Sequence, residues 1–348
     1  MAVTGAASGV GRAVAAQLVE NPEVTRVIGI DERRGDVDGV EWRIVDVRDT
    51  SVAQRIARCD VVVHLDLDVS PDSEPRRRSE RNVRAAQTIL TASAAAGVPR
   101  VVIATSAMVY GAAPDNPVPL DEDAPLRARP EGVVADLLEI EWLARRAPRA
   151  HPGLSVTVVR PAMLVGPGID TFLTRHFEAA RLLVIRGSRP HWQFCHVDDL
   201  VSALVWAVLG KVEGAVTVGC EGYLEQEEVE SLIGLPRLEL PEGLALGAAE
   251  RLHRLGLTPA PASDLAYVSH PWVVSSAKLR AAGWRPTYDN VTACQVLARE
   301  VAGRHAALGR RFGKRETATL GAAGATVALL GTAAVVRRAR RRRSRGTT

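Results

Sequence analysis

The chain has 348 residues, 47% of them hydrophobic, which is enough to bury a large core and too apolar for a disordered protein. Its net charge of +4 comes entirely from one end: Arg337, Arg338, Arg340, Arg341, Arg342, Arg343 and Arg345 carry seven positive charges, so the remainder is net −3 and offers no basic face for nucleic acid. Four scattered cysteines, Cys59, Cys195, Cys220 and Cys294, lack metal-ligand spacing and no secretory signal opens the chain, which points to reduced thiols in a cytoplasmic protein without a structural metal.

The first eleven residues organise the rest of the chain. A short apolar run, Met1 to Val3, enters Thr4-Gly5-Ala6-Ala7-Ser8-Gly9-Val10-Gly11, and a stretch of helical periodicity from Arg12 to Glu20 comes next. Strand, glycine turn and helix start make a seat for a dinucleotide pyrophosphate: glycines let the backbone approach phosphate oxygens, and the unpaired amides and dipole of the helix favour negative charge. The strand Arg26 to Ile30 then ends in Asp31, 20 residues past Gly11, where a carboxylate can accept from the adenosine ribose hydroxyls. Predicted cofactor contacts here are Gly5, Ser8, Gly9, Val10, Gly11 and Asp31. So short an opening strand leaves open a start upstream of Met1.

The unit then repeats. Val40 to Asp46 reads as a strand, Ser51 to Arg58 as a helix, and Cys59 to Leu65 as a continuous apolar strand of the kind buried in parallel sheets. A helix from about Arg77 to Ala96 feeds the strand Arg100 to Ser106, which ends in two hydroxyls. After a Pro- and Asp-rich loop, Pro114 to Pro130, come a helix over Gly132 to Arg146 and a sixth strand, Leu154 to Arg160. Alternating strands and helices predict a doubly wound parallel sheet of Rossmann type with ligands at the carboxyl ends of its strands. Beyond Pro161 the alternation fades. The expected division is a cofactor-binding domain over 1–165, a smaller substrate lobe over 166–300 with some segments returning to the core, a linker over 301–316 and a tail over 317–348.

These motifs resemble the extended short-chain dehydrogenase/reductase family, the NAD-dependent epimerase/dehydratase group typified by UDP-glucose 4-epimerases. The resemblance covers roughly residues 1 to 290. It rests on Thr4-Gly5 with Gly9 and Gly11, Asp31, Asp46, Asp60 to Leu65, Asn82-Val83, Thr105-Ser106 through Tyr110-Gly111, Arg160-Pro161 through Gly168, Phe194 to Asp199, and Lys278-Leu279 with Gly283-Trp284. It implies NAD as cofactor, with Asp46, Val47, Leu65 and Asn82 joining the cofactor contacts. It also implies a nucleotide sugar or similar hydroxyl compound as substrate, with Ser106 and Tyr110 as the catalytic candidates. A homodimer is left open.

One departure concerns chemistry. In the family a Tyr and a Lys four residues later serve as the proton carrier and the anchor of the nicotinamide ribose. Matching Leu138-Glu139-Ile140-Glu141 to the family's run places Val133 at the Tyr position and Leu137 at the Lys position. No shift of register restores the pair, because none of the three lysines, Lys211, Lys278 and Lys314, follows a tyrosine by four. Asp66 and Asp68 occupy positions that are usually small in the family. They read either as solvated loop acids or, like Asp136, as a replacement base. His64 reads as a satisfied buried strand residue, and His196 with Asp198 and Asp199 as a tie between the lobes.

Residues 317 to 336 carry no charge, long enough for a bilayer core of about 30 Å at 1.5 Å per residue. Small residues dominate the run and seven arginines come after it, so spanning would carry a basic tail across the membrane. Attachment to the inner face of the cell membrane through residues 317–345, with the arginines on anionic headgroups, is the leading expectation, beside a flexible tail that binds nothing in particular. No specific nucleic-acid contact is expected, since no aromatic residue interleaves the arginines. Two readings stand: an epimerase/dehydratase-like enzyme with a non-standard acid/base, and a catalytically inactive NAD-binding sensor or scaffold at the membrane.

Overall fold

The structure, a computed structural model, describes residues 1–304 apart from Leu257 and Pro259, together with the backbone of 306–307 and 310–311. The apolar run and the arginines of 317–348 lie outside the described residues, and so does the attachment expected of them. In chain order β1 (Ala2–Thr4), β2 (Val27–Asp31), β3 (Val40–Ile44), β4 (Val61–His64), β5 (Arg100–Ala104) and β6 (Ser155–Pro161) alternate with α1 (Gly9–Glu20), α2 (Val52–Ile56), α3 (Pro75–Ala95) and α4 (Gly132–Ala150). The remainder comprises β7 (Met163–Val165), α5 (Phe172–His176), β8 (Leu182–Ile185), β9 (Phe194–His196), α6 (Val197–Val208), β10 (Ala215–Val218), α7 (Gln226–Ile233), β11 (Arg237–Leu240), α8 (Glu242–Arg254), α9 (Ala277–Ala281) and α10 (Asn290–Val301).

Seven of these strands form one parallel sheet in the order β10-β6-β5-β4-β1-β2-β3. The run at β4 shows why. Val61 and Val63 point into the layer shared with α1 and α6, while Val62 points into the opposite layer with α2, α3 and α4, and all three are fully buried. A strand hidden on both faces needs apolar residues without alternation, and each such valine contributes about 1.5–3 kcal/mol of burial. The order reverses between β1 and β4, which opens a crevice at their carboxyl ends. β10 and α6 return from beyond residue 165 to extend and cover the sheet, so the chain's first lobe is completed by its second half.

Two differences from the sequence reading are local. Helix α4 continues four residues past Arg146 even though Pro148, in its last turn, cannot donate to the ladder. Helix α3 begins earlier than expected, at Pro75: Glu74 caps it by accepting from the amides of Arg76 and Arg77 at 3.0 and 2.9 Å, with proline in the favoured first position.

Candidate active site

Gly5 leaves β1 at φ +66°, and a Cβ there would stand 3.0 Å from the backbone of Leu65 and Asp66. A Cβ on Gly11 would run into the Gly5 carbonyl, so α1 starts this close to β1 only because that position is glycine. Gly9, at φ +55°, faces open space. Ser8 makes no side-chain cap, and the first amide to join the helix ladder is that of Arg12, bonded to the Ser8 carbonyl at 3.1 Å. Among the described residues the amides of Gly9, Val10 and Gly11 have no partner, which is what a pyrophosphate would use. Val10 is half-buried against the core behind this turn. Asp31 accepts from the Ala7 amide at 3.0 Å, which fixes the carboxylate at the rim of the glycine turn.

The adenosine side is more ionic than the sequence reading expected. Asp46 is not free for a ligand: Arg48 donates to it from its backbone and its Nε, each at 2.9 Å, and this pairing holds the carboxyl below its ordinary range. Arg48 and Arg81 both approach Glu32, at 3.9 and 3.5 Å, and Arg81 pairs with Asp66 at 3.1 Å. Burial pushes the Asp66 carboxyl up and Arg81 draws it partly back. Asp68 accepts from Ser70 N at 3.0 Å and from the Ser73 hydroxyl at 2.6 Å. Neither acid is the solvated loop residue expected; both are tied into the loop that closes over the glycine turn. Asn82 is engaged in the same loop, accepting from Asp68 N and donating to Asp68 O and Asp136, so it shapes the loop rather than reaching a cofactor. Val47 is buried, and Leu65 is held at the end of β4 by its amide's bond to Thr4 Oγ1 at 3.1 Å.

His64 shares a hydrogen bond with Thr4 Oγ1 at 2.8 Å, but its Nε2 has no partner among the described residues, and burial lowers its pKa to about 4. It is a neutral core histidine with one nitrogen unsatisfied. His196 stacks on Tyr288 at 3.7 Å between centroids, and Asp199 receives the amides of Thr287 and Tyr288 at 2.7 and 3.1 Å, joining α6 to the chain before α10.

At the end of β5, Ser106 is half-buried and its Oγ accepts from Met108 N at 3.2 Å, leaving the hydroxyl proton for another acceptor. Thr105 donates to Glu141 at 2.8 Å, and Glu141 holds Arg160 through two bonds of 2.8 Å. Arg160 in turn donates to the Tyr110 phenol at 2.7 Å. Tyr110 is therefore removed from the catalytic candidates: it is 1% exposed, its oxygen is occupied, and burial pushes its pKa up. Leu137 is 1% exposed in the core, Val133 is half-buried beside it, and Asp136 is paired with Arg78 at 2.9 Å. Val133 and Leu137 both present apolar side chains.

Beyond Val134 opens a cavity of about 410 Å³, a size suited to a small ligand. Residues 111–114, 127–129, 185–188, 262–267, Ser269 and His270 supply most of its wall. Asp264, on the 3-10 helix Ala262–Val268, faces it; the residue is 6% exposed, its carboxyl has no hydrogen bond among the described residues, and burial, seconded by Glu131, pushes its pKa up to about 7. Nothing in the sequence singled it out: it is one acid in a Pro-Ala-Ser stretch. Among the described residues no group of three or more His, Cys, Asp or Glu could hold a metal ion, and all four cysteines are buried thiols.

A parallel sheet with a glycine turn at its switch point, uncapped amides and an acid at the second strand end defines a dinucleotide-binding protein of the Rossmann type. The chain belongs to the NAD dependent epimerase/dehydratase family, which matches residues 1–219. An uncharacterised protein of Mycobacterium tuberculosis is 30% identical over 309 residues, covering 84% of this chain and 81% of its own. The 3-diazoavenalumate denitrifying reductase of a Streptomyces species is 30% identical over 258 residues, 67% of this chain and 78% of that protein. Of solved structures, the UDP-glucose 4-epimerase of Thermus thermophilus with NAD superposes with a TM-score of 0.63 at 20% identity, over 87% and 98% of the two chains. The UDP-Glc/GlcNAc 4-epimerase of Campylobacter jejuni gives 0.64 at 17% identity, over 86% and 98%. At these identities the structural likeness speaks for the fold.

Proposed function

We propose that the chain binds NAD and oxidises or reduces a hydroxyl-bearing small molecule, of the nucleotide-sugar kind, held in the 410 Å³ cavity. The observation that carries this is the uncapped first turn of α1 at the switch point, closed in by Gly5 and Gly11, which fits the phosphates of NAD. Asp31 at the end of β2 suits the adenosine ribose. NAD would supply a hydride acceptor or donor. The chain's own contribution is to anchor the phosphates, to keep water from the reacting end with Val133, Val134 and Leu137, and to donate a hydrogen bond from Ser106 to a substrate oxygen. Arg127 and Arg129 on the cavity wall suit an anionic substrate. Kinship to a reductase that works on 3-diazoavenalumate favours keeping non-sugar substrates in the screen.

Calorimetric titration of the full chain with NAD, NADH and NADPH, followed by a search for cofactor reduction on adding sugar nucleotides, tests the reading; no binding of any of the three defeats it. Val133 and Leu137 favour a second reading, a dinucleotide sensor without turnover. Tight NAD binding with no reduction by any substrate selects it. A membrane attachment through 317–345 belongs to either reading; among the described residues no helix is long and apolar enough to cross a membrane. Deleting 317–348 should move the protein from the membrane fraction to the soluble one, and a full-length protein already soluble at low salt refutes the attachment.

A further inference from the structure

Of four carboxylates that could stand in for the family's base, Asp66, Asp68, Asp136 and Asp264, three are engaged. Asp66 pairs with Arg81, Asp68 holds Ser70 and Ser73, and Asp136 holds Arg78 and Asn82. Asp264 alone of the four has no hydrogen-bonded partner among the described residues, and it faces the cavity. We propose that Asp264 is the acid/base residue of this site, exchanging the substrate's hydroxyl proton in place of the tyrosine and lysine that Val133 and Leu137 replace. This rests on the hydroxyl-substrate reading above.

Three contacts seat its helix at the right place. The Tyr267 hydroxyl donates to the Met108 carbonyl at 2.8 Å, in the turn that Ser106 opens. The Ser263 hydroxyl donates to Glu131, the cap residue of α4, at 2.7 Å. Pro261 packs so tightly on Gly132 that a Cβ there would stand 3.0 Å from its ring. Val133, at the family's tyrosine position, is the next residue. Asp264 thus enters from the second lobe toward the place where the family's phenol enters from α4.

A carboxylate in this position can do what the phenolate does. When a secondary alcohol is oxidised, the carbon-bound hydrogen leaves with its electron pair to an oxidised nicotinamide. The O–H bond breaks toward Asp264, whose carboxylate becomes the acid, and the oxygen electron pair closes the C=O bond. In reduction the same proton returns. The surroundings tune it for both directions: Arg78 from α3 draws the carboxyl down, Glu131 from the start of α4 pushes it up, and Tyr267 on its own helix is kept protonated by burial. Across the cavity stand Arg127 and Arg129 on the loop before α4, Glu242 at the start of α8, and His270. A base near neutrality is well matched to proton transfer at physiological pH.

The test uses the full chain with NAD, and its Asp264→Asn and Asp264→Glu variants. Infrared difference spectra over about pH 5 to 9 should show a carboxyl stretch titrating near neutrality that Asp264→Asn lacks. With UDP-glucose, UDP-galactose and dTDP-glucose as probes, Asp264→Asn should lower kcat about a hundredfold or more while KM and the NAD dissociation constant move less than about threefold. In the wild type the oxidation rate should rise with pH through about 7, and in Asp264→Asn it should be flat. Asp264→Glu should recover at least about a tenth of the rate, with a displaced profile. An Asp264→Asn rate within about threefold of wild type, or no carboxyl titrating near neutrality, overturns the assignment while leaving NAD binding intact. If the wild type holds NAD but reduces it with none of the probes, the hydroxyl-substrate reading falls and the assignment with it. Should Asp264→Asn not fold, Asp264→Glu decides the matter, and an unmoved profile counts against the proposal.

Discussion

Glu141, on helix α4, and Asp264, on the 3-10 helix seated against the start of α4, are both buried carboxyls, 1% and 6% exposed, yet they are built for opposite ends. Glu141 is held by three bonds from two partners: two from Arg160 and one from Thr105. Asp264 has none among the described residues, only a distant guanidinium and a repelling glutamate. Burial with partners fixes architecture, because hydrogen bonds replace the water that each lone pair gave up. Burial without partners leaves a group whose two protonation states lie close in free energy near neutral pH, and that is tolerable only where the proton's movement is used.

Removing a partner should hurt most where the pairing is complete. Glu141→Ala leaves the Arg160 guanidinium buried and uncompensated and should cost about 3–5 kcal/mol, read by denaturant unfolding, with no specific effect on cofactor affinity in the folded fraction. A loss below about 1 kcal/mol, the range of surface pairs, would mean the pair is solvated and the comparison false. Next in size is Gly11→Ala, whose Cβ meets the Gly5 carbonyl; about 1–3 kcal/mol of overpacking strain and at least a tenfold loss of NAD affinity are expected by calorimetry.

Asp264 should behave in the reverse sense. Its folded-state pKa of about 7 lies above the ordinary 3.8, so between those values the folded chain binds a proton that the unfolded chain releases. Stability therefore falls as pH rises through that window. Asp264→Asn should remove this slope and leave the protein roughly 1–2 kcal/mol more stable than wild type at pH 8, measured as the difference between unfolding curves at pH 5 and pH 8. A wild-type stability that climbs across the window would show that the carboxyl has a partner after all. The smallest effect concerns Asp31. It should favour NAD over NADP by about tenfold, or 1.4 kcal/mol, and Asp31→Ala should narrow that gap; equal NADPH binding by the wild type removes the carboxylate from the ribose.

How far the sequence could be read depended on how far apart the interacting residues lie along it. The glycine turn and the apolar run Val61–Val63 are local: backbone conformation and two-sided burial impose them on consecutive residues, so they stand out at once. The apolar Val133 and Leu137 stand out for the same reason, since one helix carries both. Tyr110 misled, since its role is set by Arg160, 50 residues away in sequence, and Asp66 by Arg81, 15 residues on. Asp264 had no signature of any kind. Its environment is assembled from Arg78, Glu131 and the fold of residues 261–268, which are far apart in sequence and meet only in the folded chain.

The loop that closes over the glycine turn runs on to Asp72, and Asp72 is gripped by Arg175 of α5 at 2.7 Å, with Asp170 on the same guanidinium at 2.8 Å. Arg175 is 1% exposed on its side chain while Asp72 is 62% exposed, so the joint has one sheltered partner and one open to solvent and to salt. The loop starts beside Gly5 of the glycine turn, and its far end is fastened to α5. A ligand that shifts this loop would be felt at α5, and any coupling between the two sites would be reciprocal, each ligand altering the other's affinity by the same factor. Cutting the tether with Asp72→Ala should make the two affinities independent, each ligand titrating the same way whether or not the other is present.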